Sequence, residues 1–413
     1  MKINIMDKLL RPYNILMLTV ILSFIAWIYP NENIRRGFHI KESLTSEAIV
    51  ILIIWYFLIY FFSRISYLLG RKMKKNSDID VIPDINYYKV ISLISFIGVS
   101  YVYLTILTTN PDFLMYVSDS SVNLIKQSLY DNYETGLHSL RYVSILGGAI
   151  ALYRITTLRK ISVLDIINLI LLFMTSFISS RLSIILATLI FLGILIHRKH
   201  KISKKSIVTL GIVLFSLLTI MNFYRNANYY KDYYNLENPV LMNISEIVTY
   251  LGSPFQVSVG VANNIGRMDF NGNSDNVFSY LVPTYLHGIF NIQSTYANNY
   301  RNYVDIDEGL TTNSAFADMN SNVGGYSFII ILMIVSLFSY IAGTFYNYNS
   351  LIFIFNYVIC YCFAELWRTF LFNTGIIHSL LLTLVLVVIL NKIYVNNRIR
   401  KKKVMRGEVH AYN

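Results

Sequence analysis

Hydrophobic and polar positions alternate along this chain in long blocks rather than residue by residue. About ten apolar stretches, each long enough to cross a bilayer, are joined by short polar turns. The pattern breaks once, across a polar segment from about Asn222 to Tyr326. The spacing predicts membrane-spanning helices near 14–29, 47–70, 89–109, 138–157, 163–180, 182–196, 206–222, 326–345, 351–372 and 376–395. The expected fold is therefore an all-α polytopic membrane protein, with N-terminal helices over 1–221, a large loop over 222–325, further helices over 326–395 and a basic tail over 396–413. Within the loop, Val240, Leu241, Ile244, Ile247, Val248 and Leu251 recur at helical spacing and predict an amphipathic helix before Pro254. A second apolar stretch, Val277 to Phe290 with Pro283, is expected to lie on or dip into the bilayer. If either stretch spans, the count rises to about 11 or 12.

Composition agrees: 55% of the 413 residues are hydrophobic and 14% charged, which excludes an ordinary soluble core. The first span follows Lys2, Lys8 and Arg11 as a signal peptide would, yet no small-residue cleavage site follows it, so it is expected to be a retained helix. The net charge of +12 does not imply nucleic acid, because the basic residues fall in short runs between spans: Arg71, Lys72, Lys74 and Lys75; Arg159 and Lys160; Arg198, Lys199, Lys201, Lys204 and Lys205; and Arg398 to Lys403. Such runs set orientation, and with all of them cytoplasmic both termini lie inside and the large loop outside. The loop holds four basic residues, Arg225, Lys231, Arg267 and Arg301, against nine acidic ones, in keeping with that orientation. Cys360 and Cys362 stand two apart on a predicted helix, point in different directions and cannot bridge.

The cations that break the orientation rule are the candidate chemistry. Arg181 lies in the tight turn after Ser179 and Ser180, Arg225 just past the seventh span, and Arg368 near the outer end of the ninth with Glu365 one turn before it. His138, Arg141 and His378 flank the outer ends of the fourth and tenth spans. A charge in hydrocarbon costs roughly 2.5–3.5 kcal/mol on insertion scales, so such residues face a polar cavity or a partner. One reading pairs Arg368 with Glu365 and lets the others snorkel to headgroups. The other gathers the guanidinium groups at the outer boundary around a phosphate or pyrophosphate, which accepts paired N–H donors.

The loop also carries Tyr224, Tyr229, Tyr230, Tyr233, Tyr234, Tyr285, Tyr296, Tyr300 and Tyr303 among many asparagines, a mixture suited to stacking on sugars and bonding their hydroxyls, and also the mixture that an AT-rich coding sequence favours. Asp305-Ile306-Asp307 and Asp78-Ile79-Asp80 match the two-carboxylate spacing of metal-dependent glycosyl transfer, a pattern short enough to arise by chance. No phosphate-binding Gly-rich loop, paired-histidine zinc motif, nucleophile elbow or dinucleotide fingerprint is present, which argues against ATP-driven transport, metalloprotease and dinucleotide chemistry.

One dominant outer loop, the turn Ser179-Ser180-Arg181-Leu182, and a loop ending Thr311-Thr312-Asn313-Ser314-Ala315-Phe316-Ala317-Asp318 before Gly324-Gly325-Tyr326 and a span together resemble the oligosaccharide repeat-unit polymerases of bacterial O-antigen and capsule assembly. The family's histidine-containing loop motif finds its nearest counterpart in His287-Gly288, which departs from the usual pattern. The resemblance implies a GT-C-like fold in the cytoplasmic membrane and a metal-independent glycosyltransferase without cofactor. Its donor and acceptor would be undecaprenyl-pyrophosphate-linked oligosaccharides; membrane lipids and a chain-length regulator are the other implied partners, and nucleic acid is not. Fixed arginines would stabilise the departing pyrophosphate, a role assigned to Arg181 and Arg225 with Arg368 third. Asp318, Glu365 or His287 would accept the proton of the attacking hydroxyl, and Tyr224, Tyr229, Tyr230, Tyr285, Arg267 and Arg301 would hold the sugars. A flippase or other transporter of the same lipid-linked glycan, and a ligase using the same donor, are the alternatives. The chain shows no internal symmetry of the kind transporters carry.

Overall fold

A computed structural model describes residues 3–29, 37–73, 85–110, 115, 137–158, 161–178, 181–200, 203–268, 274–293, 299–307, 310, 314–348 and 350–405. Asp78-Ile79-Asp80, the segment 116–136, Ser179-Ser180, Thr311 to Asn313 and the end of the basic tail lie outside them. Among the described residues the chain is helical, without a strand. In order the helices are α1 (Ile3–Leu9), α2 (Pro12–Ile28), α3 (Ser46–Lys72), α4 (Ile85–Thr109), α5 (Ser144–Tyr153), α6 (Val163–Ile178), α7 (Leu182–His197), α8 (Lys204–Tyr234), α9 (Pro239–Asn264), α10 (Ser274–Leu281), α11 (Ala315–Val323), α12 (Tyr326–Tyr346), α13 (Ile354–Glu365) and α14 (Gly375–Met405). Among the described residues, 4 helices are long and apolar enough to cross a membrane: Ser46–Lys72, Tyr87–Thr109, Lys205–Tyr234 and Tyr326–Tyr346. Five shorter apolar helices stand at other expected positions. The fourth expected span is a composite: a 3-10 turn over Leu137–Val143, then α5, then a π segment over Arg154–Leu158.

The helix ends sort into two groups. At one end, Arg71 lies 4.4 Å from the ring of Tyr346, Asn347 donates to the Arg71 carbonyl at 3.2 Å, His197 stacks on Phe353 at 3.9 Å, and Arg154 Nε donates to Asp165 at 2.9 Å. Two of the basic runs start here, so we call it the basic end. At the other, Thr284 donates to the Asn373 carbonyl at 2.8 Å, Asn373 to that of Ser279 at 2.6 Å, and Asp307 to that of Gly37 at 2.8 Å. This is the loop end. Helices α3 and α12 meet through two glycines: a Cβ on Gly70 would strike the Tyr340 carbonyl, and one on Gly343 the carbonyl of Tyr67. Small residues permit that approach where no hydrophobic effect drives helices together.

Three expectations change. The seventh span does not stop at 222, because α8 runs unbroken to Tyr234 and carries the first tyrosines of the loop as helix. The ninth stops early, at Glu365, leaving Arg368 in the turn beyond it. The amphipathic loop helix does not end at Pro254: α9 passes through it to Asn264, and its faces are reversed relative to a soluble helix. Val240, Leu241 and Ile247 are exposed, while Asn243, Glu246, Thr249, Ser253 and Gln256 are buried. Lipid is as apolar as a leucine side chain, so a helix at the rim of a bundle turns its polar stripe inward. That stripe is tied down by Ser23 donating to the Leu251 carbonyl at 2.7 Å, Trp27 to Gln256 at 2.8 Å and Asn243 to Thr219 at 2.9 Å. The loop is thus partly built into the bundle rather than set above it.

Candidate functional site

Helix lengths create a recess at the loop end. The basic ends of α7, α12 and α13 are level, since His197 meets both Phe353 and Tyr346. From that level α12, with 21 residues, rises about 31 Å, whereas α7, with 16, rises about 24 Å and α13, with 12, only about 18 Å. Arg181 precedes α7 and Glu365 ends α13, so both sit below the rim formed by α12. The short helix α11 descends into the gap, with Phe316 edge-on to Trp55 at 5.2 Å, nine positions inside α3 from its loop end.

The recess brings two arginines together from distant parts of the sequence. Arg181 forms an ion pair with Glu246 of α9, and Arg368, Tyr250 and Tyr230 all lie within electrostatic range of its guanidinium. Arg368 donates from Nε at 2.9 Å and Nη2 at 2.7 Å to one oxygen of Glu365, and its guanidinium carbon lies 5.5 Å from the Tyr250 ring centre. The side chains of Arg181 and Arg368 are 18% and 10% exposed, so neither has the full hydration that would screen it. Glu246 offers Oε1 to Arg181, while its Oε2 is buried without a hydrogen-bond partner.

The N-terminus of α11 closes the recess. Ser314 donates its N–H to the Arg368 carbonyl at 2.7 Å, meets the Ser258 hydroxyl at 2.7 Å, and caps α11 by accepting from the Ala317 N–H at 3.3 Å. It does so at φ 116, a strained backbone for a residue with a Cβ. Asp318 follows one turn later and donates its N–H to the Ser314 carbonyl. Burial pushes its carboxyl up to about 7, against the opposing influence of Arg301. Arg301 itself donates to the Leu310 carbonyl.

The remaining candidates lie on elements other than α7, α11 and the turn after α13. Arg225 is buried on α8, five positions before Tyr230. His287 holds the Val282 carbonyl at 3.0 Å within its own turn, and Tyr285 lies edge-on to His378, which holds the Phe372 carbonyl. Arg141 donates to Tyr142 at 2.9 Å, and His138 rests on the Tyr101 ring. Tyr229, Tyr230, Tyr233 and Tyr234 pack chiefly on one another, with Tyr230 buried, whereas Tyr224 and Arg267 are exposed. The aspartates of the 305–307 motif are occupied as structural acceptors, Asp305 by the N–H groups of His39 and Ile40 and Asp307 by Tyr234 at 2.7 Å. Sequence reasoning missed Glu246. The available signal was the polar stripe Asn243, Glu246, Thr249, Ser253 and Gln256, at helical spacing opposite an apolar face.

No family model, no curated protein and no solved structure matches this chain.

Proposed function

We propose that this protein is a polymerase of lipid-linked oligosaccharide repeat units, transferring a growing glycan from undecaprenyl pyrophosphate to a new unit at the outer face of the cytoplasmic membrane, on a GT-C-like fold. The observation that carries the reading is the convergence of Arg181 and Arg368 beneath the N-terminus of α11, where both side chains are largely withdrawn from solvent. Two guanidinium groups and a helix N-terminus suit a pyrophosphate, and the low-polarity surroundings strengthen each contact. The pyrophosphate competes with Glu246 and Glu365 for the arginines. The lipid tail leaves between helices, and the sugars extend toward the loop end, where Arg301 and the tyrosines lie.

In the transfer, the acceptor hydroxyl oxygen attacks the anomeric carbon as the bond from that carbon to the pyrophosphate oxygen breaks. The bonding pair leaves on the pyrophosphate, held by Arg181 and Arg368, and the hydroxyl proton passes to Asp318 and then to solvent. Asp318 is the preferred acceptor because Glu365 is engaged twice by Arg368 and His287 by its own turn, and because a carboxyl titrating near 7 is matched to this task. Direct displacement inverts the anomeric carbon.

The test is polymerisation by the purified chain in lipid nanodiscs supplied with lipid-linked repeat units. The expected product is a ladder of glycans, lost in Arg181→Ala and Arg368→Ala. Normal ladders from both variants would remove the assignment. A deletion strain separates the alternatives: a single repeat unit on each acceptor supports a polymerase, and complete loss of surface glycan supports a flippase or ligase.

A further inference from the structure

One face of α13 carries a run of buried polar groups, of which Cys360 donates to the Leu10 carbonyl at 3.0 Å and Glu365 pairs with Arg368. Asn356, Tyr357, Cys360, Tyr361 and Glu365 follow one another at intervals of one, three, one and four positions, which places them on a continuous strip. Every one is buried, yet both polar side-chain atoms of Asn356 and the hydroxyl of Tyr357 have no hydrogen-bond partner, and the same holds for the hydroxyl of Tyr67, which faces the strip from α3, while the Tyr361 hydroxyl lies against Glu365. At the basic end Tyr357 and Tyr67 are within electrostatic range of Tyr346, whose hydroxyl bonds Asp7. At the other, Tyr361 is beside Glu365 and Arg368. The Asp7 side chain is 20% exposed and opens to the basic end.

Polar atoms buried dry forfeit their hydration with nothing in return, and phenylalanine or leucine would fill the same space without that cost. Hydroxyls one helical turn apart are about 6 Å from each other, a gap that one water closes with two ordinary hydrogen bonds. We propose that this strip lines a file of water that conducts protons between Asp7 at the basic end and Oε1 of Glu365 in the loop-end recess, the oxygen that the two Arg368 hydrogen bonds do not use. Each oxygen passes its proton to the next, so one proton enters at one carboxylate as one leaves at the other, and no other bond changes. The site does not rest on the glycan reading, and it would give the protein access to the transmembrane proton gradient.

The purified full-length chain, reconstituted in liposomes containing a pH-sensitive dye and driven by a potassium diffusion potential, is expected to acidify the lumen faster than protein-free vesicles. Tyr361→Phe and Tyr357→Phe, which remove only a hydroxyl, each lower that rate by about tenfold or more. Ser176→Ala, which removes a buried unpartnered hydroxyl on α6, leaves it unchanged. Unchanged melting temperatures show that the variants fold. Radiolytic hydroxyl-radical footprinting supplies an independent readout of water, labelling Tyr357 and Tyr361 and sparing the equally buried Phe363. Wild-type rates no higher than empty vesicles, wild-type rates in both phenylalanine variants, or unlabelled tyrosines would each overturn the proposal.

Discussion

Two buried arginine–carboxylate pairs stand at opposite ends of the bundle and differ in how completely their hydrogen bonds are used. At the basic end, Asp165 is fully buried and both oxygens are occupied: Oδ1 accepts from Arg154 at 2.9 Å, and Oδ2 from the Ser162 N–H at 3.0 Å and its hydroxyl at 2.6 Å. At the loop end, Glu246 uses one oxygen on Arg181 and leaves the other without a partner, beside a second cation and a strained Ser314. A satisfied pair fastens helices. A half-used pair next to backbone strain leaves Arg181 open to the competition with an anion that the proposed function requires.

The sharpest way to break this comparison is to damage the satisfied pair. Asp165→Ala strands Arg154 in the bundle and is expected to cost about 3–5 kcal/mol, read as a large fall in melting temperature and in yield of folded protein. At the loop end, Arg181→Lys keeps the charge and loses the two-pronged donor. It is expected to slow glycan polymerisation about a hundredfold while melting stays near that of the parent. If the two variants exchange behaviours, the assignment of roles to the two ends is wrong. Gly343→Ala places a methyl against the Tyr67 carbonyl at the α3–α12 contact and is expected to lower stability by about 1–3 kcal/mol with the turnover of the folded fraction intact.

The smallest effect concerns pH. Asp318 in the folded chain holds its proton up to about 7, above the ordinary carboxylate range. The folded state therefore binds more protons than the unfolded one between those limits, and this carboxyl's contribution to stability falls as pH rises through them. Under the proposed mechanism the ionised form accepts the proton, so polymerisation is expected to rise over the upper part of the same interval. Asp318→Asn is expected to flatten the stability change and to abolish the rise in rate.

Much of the bundle was legible because hydropathy reports directly on the lipid-facing surfaces of α2, α3, α4, α6, α7 and α12, whose expected and observed limits differ by a few residues. The basic runs Arg71-Lys72 and Arg198-Lys199 likewise foretold which helix ends share a level. The inward polar face of α9 was harder to read. Helical periodicity identifies a stripe of apolar residues but is the same whether that stripe meets a core or lipid, and only neighbours such as Trp27 and Thr219 decide. Within the site, Arg181 and Arg368 were conspicuous as cations that break the orientation rule, and the Arg368–Glu365 pair followed from their spacing. Their meeting across the recess was not readable, because it depends on where α7 and α13 stop relative to α12, a tertiary fact. Glu246 was hidden for the same reason: a polar residue on a loop helix is unremarkable until the helix proves to be part of the bundle.

The most direct test is a density map of the chain bound to an undecaprenyl-pyrophosphate-linked repeat unit. The account expects the two phosphates between the guanidinium groups of Arg181 and Arg368, with Glu246 turned away from Arg181 and the sugars reaching past Asp318. Phosphates bound instead at the basic end, near Arg71 and Arg198, with the Arg181–Glu246 pair closed, would contradict it.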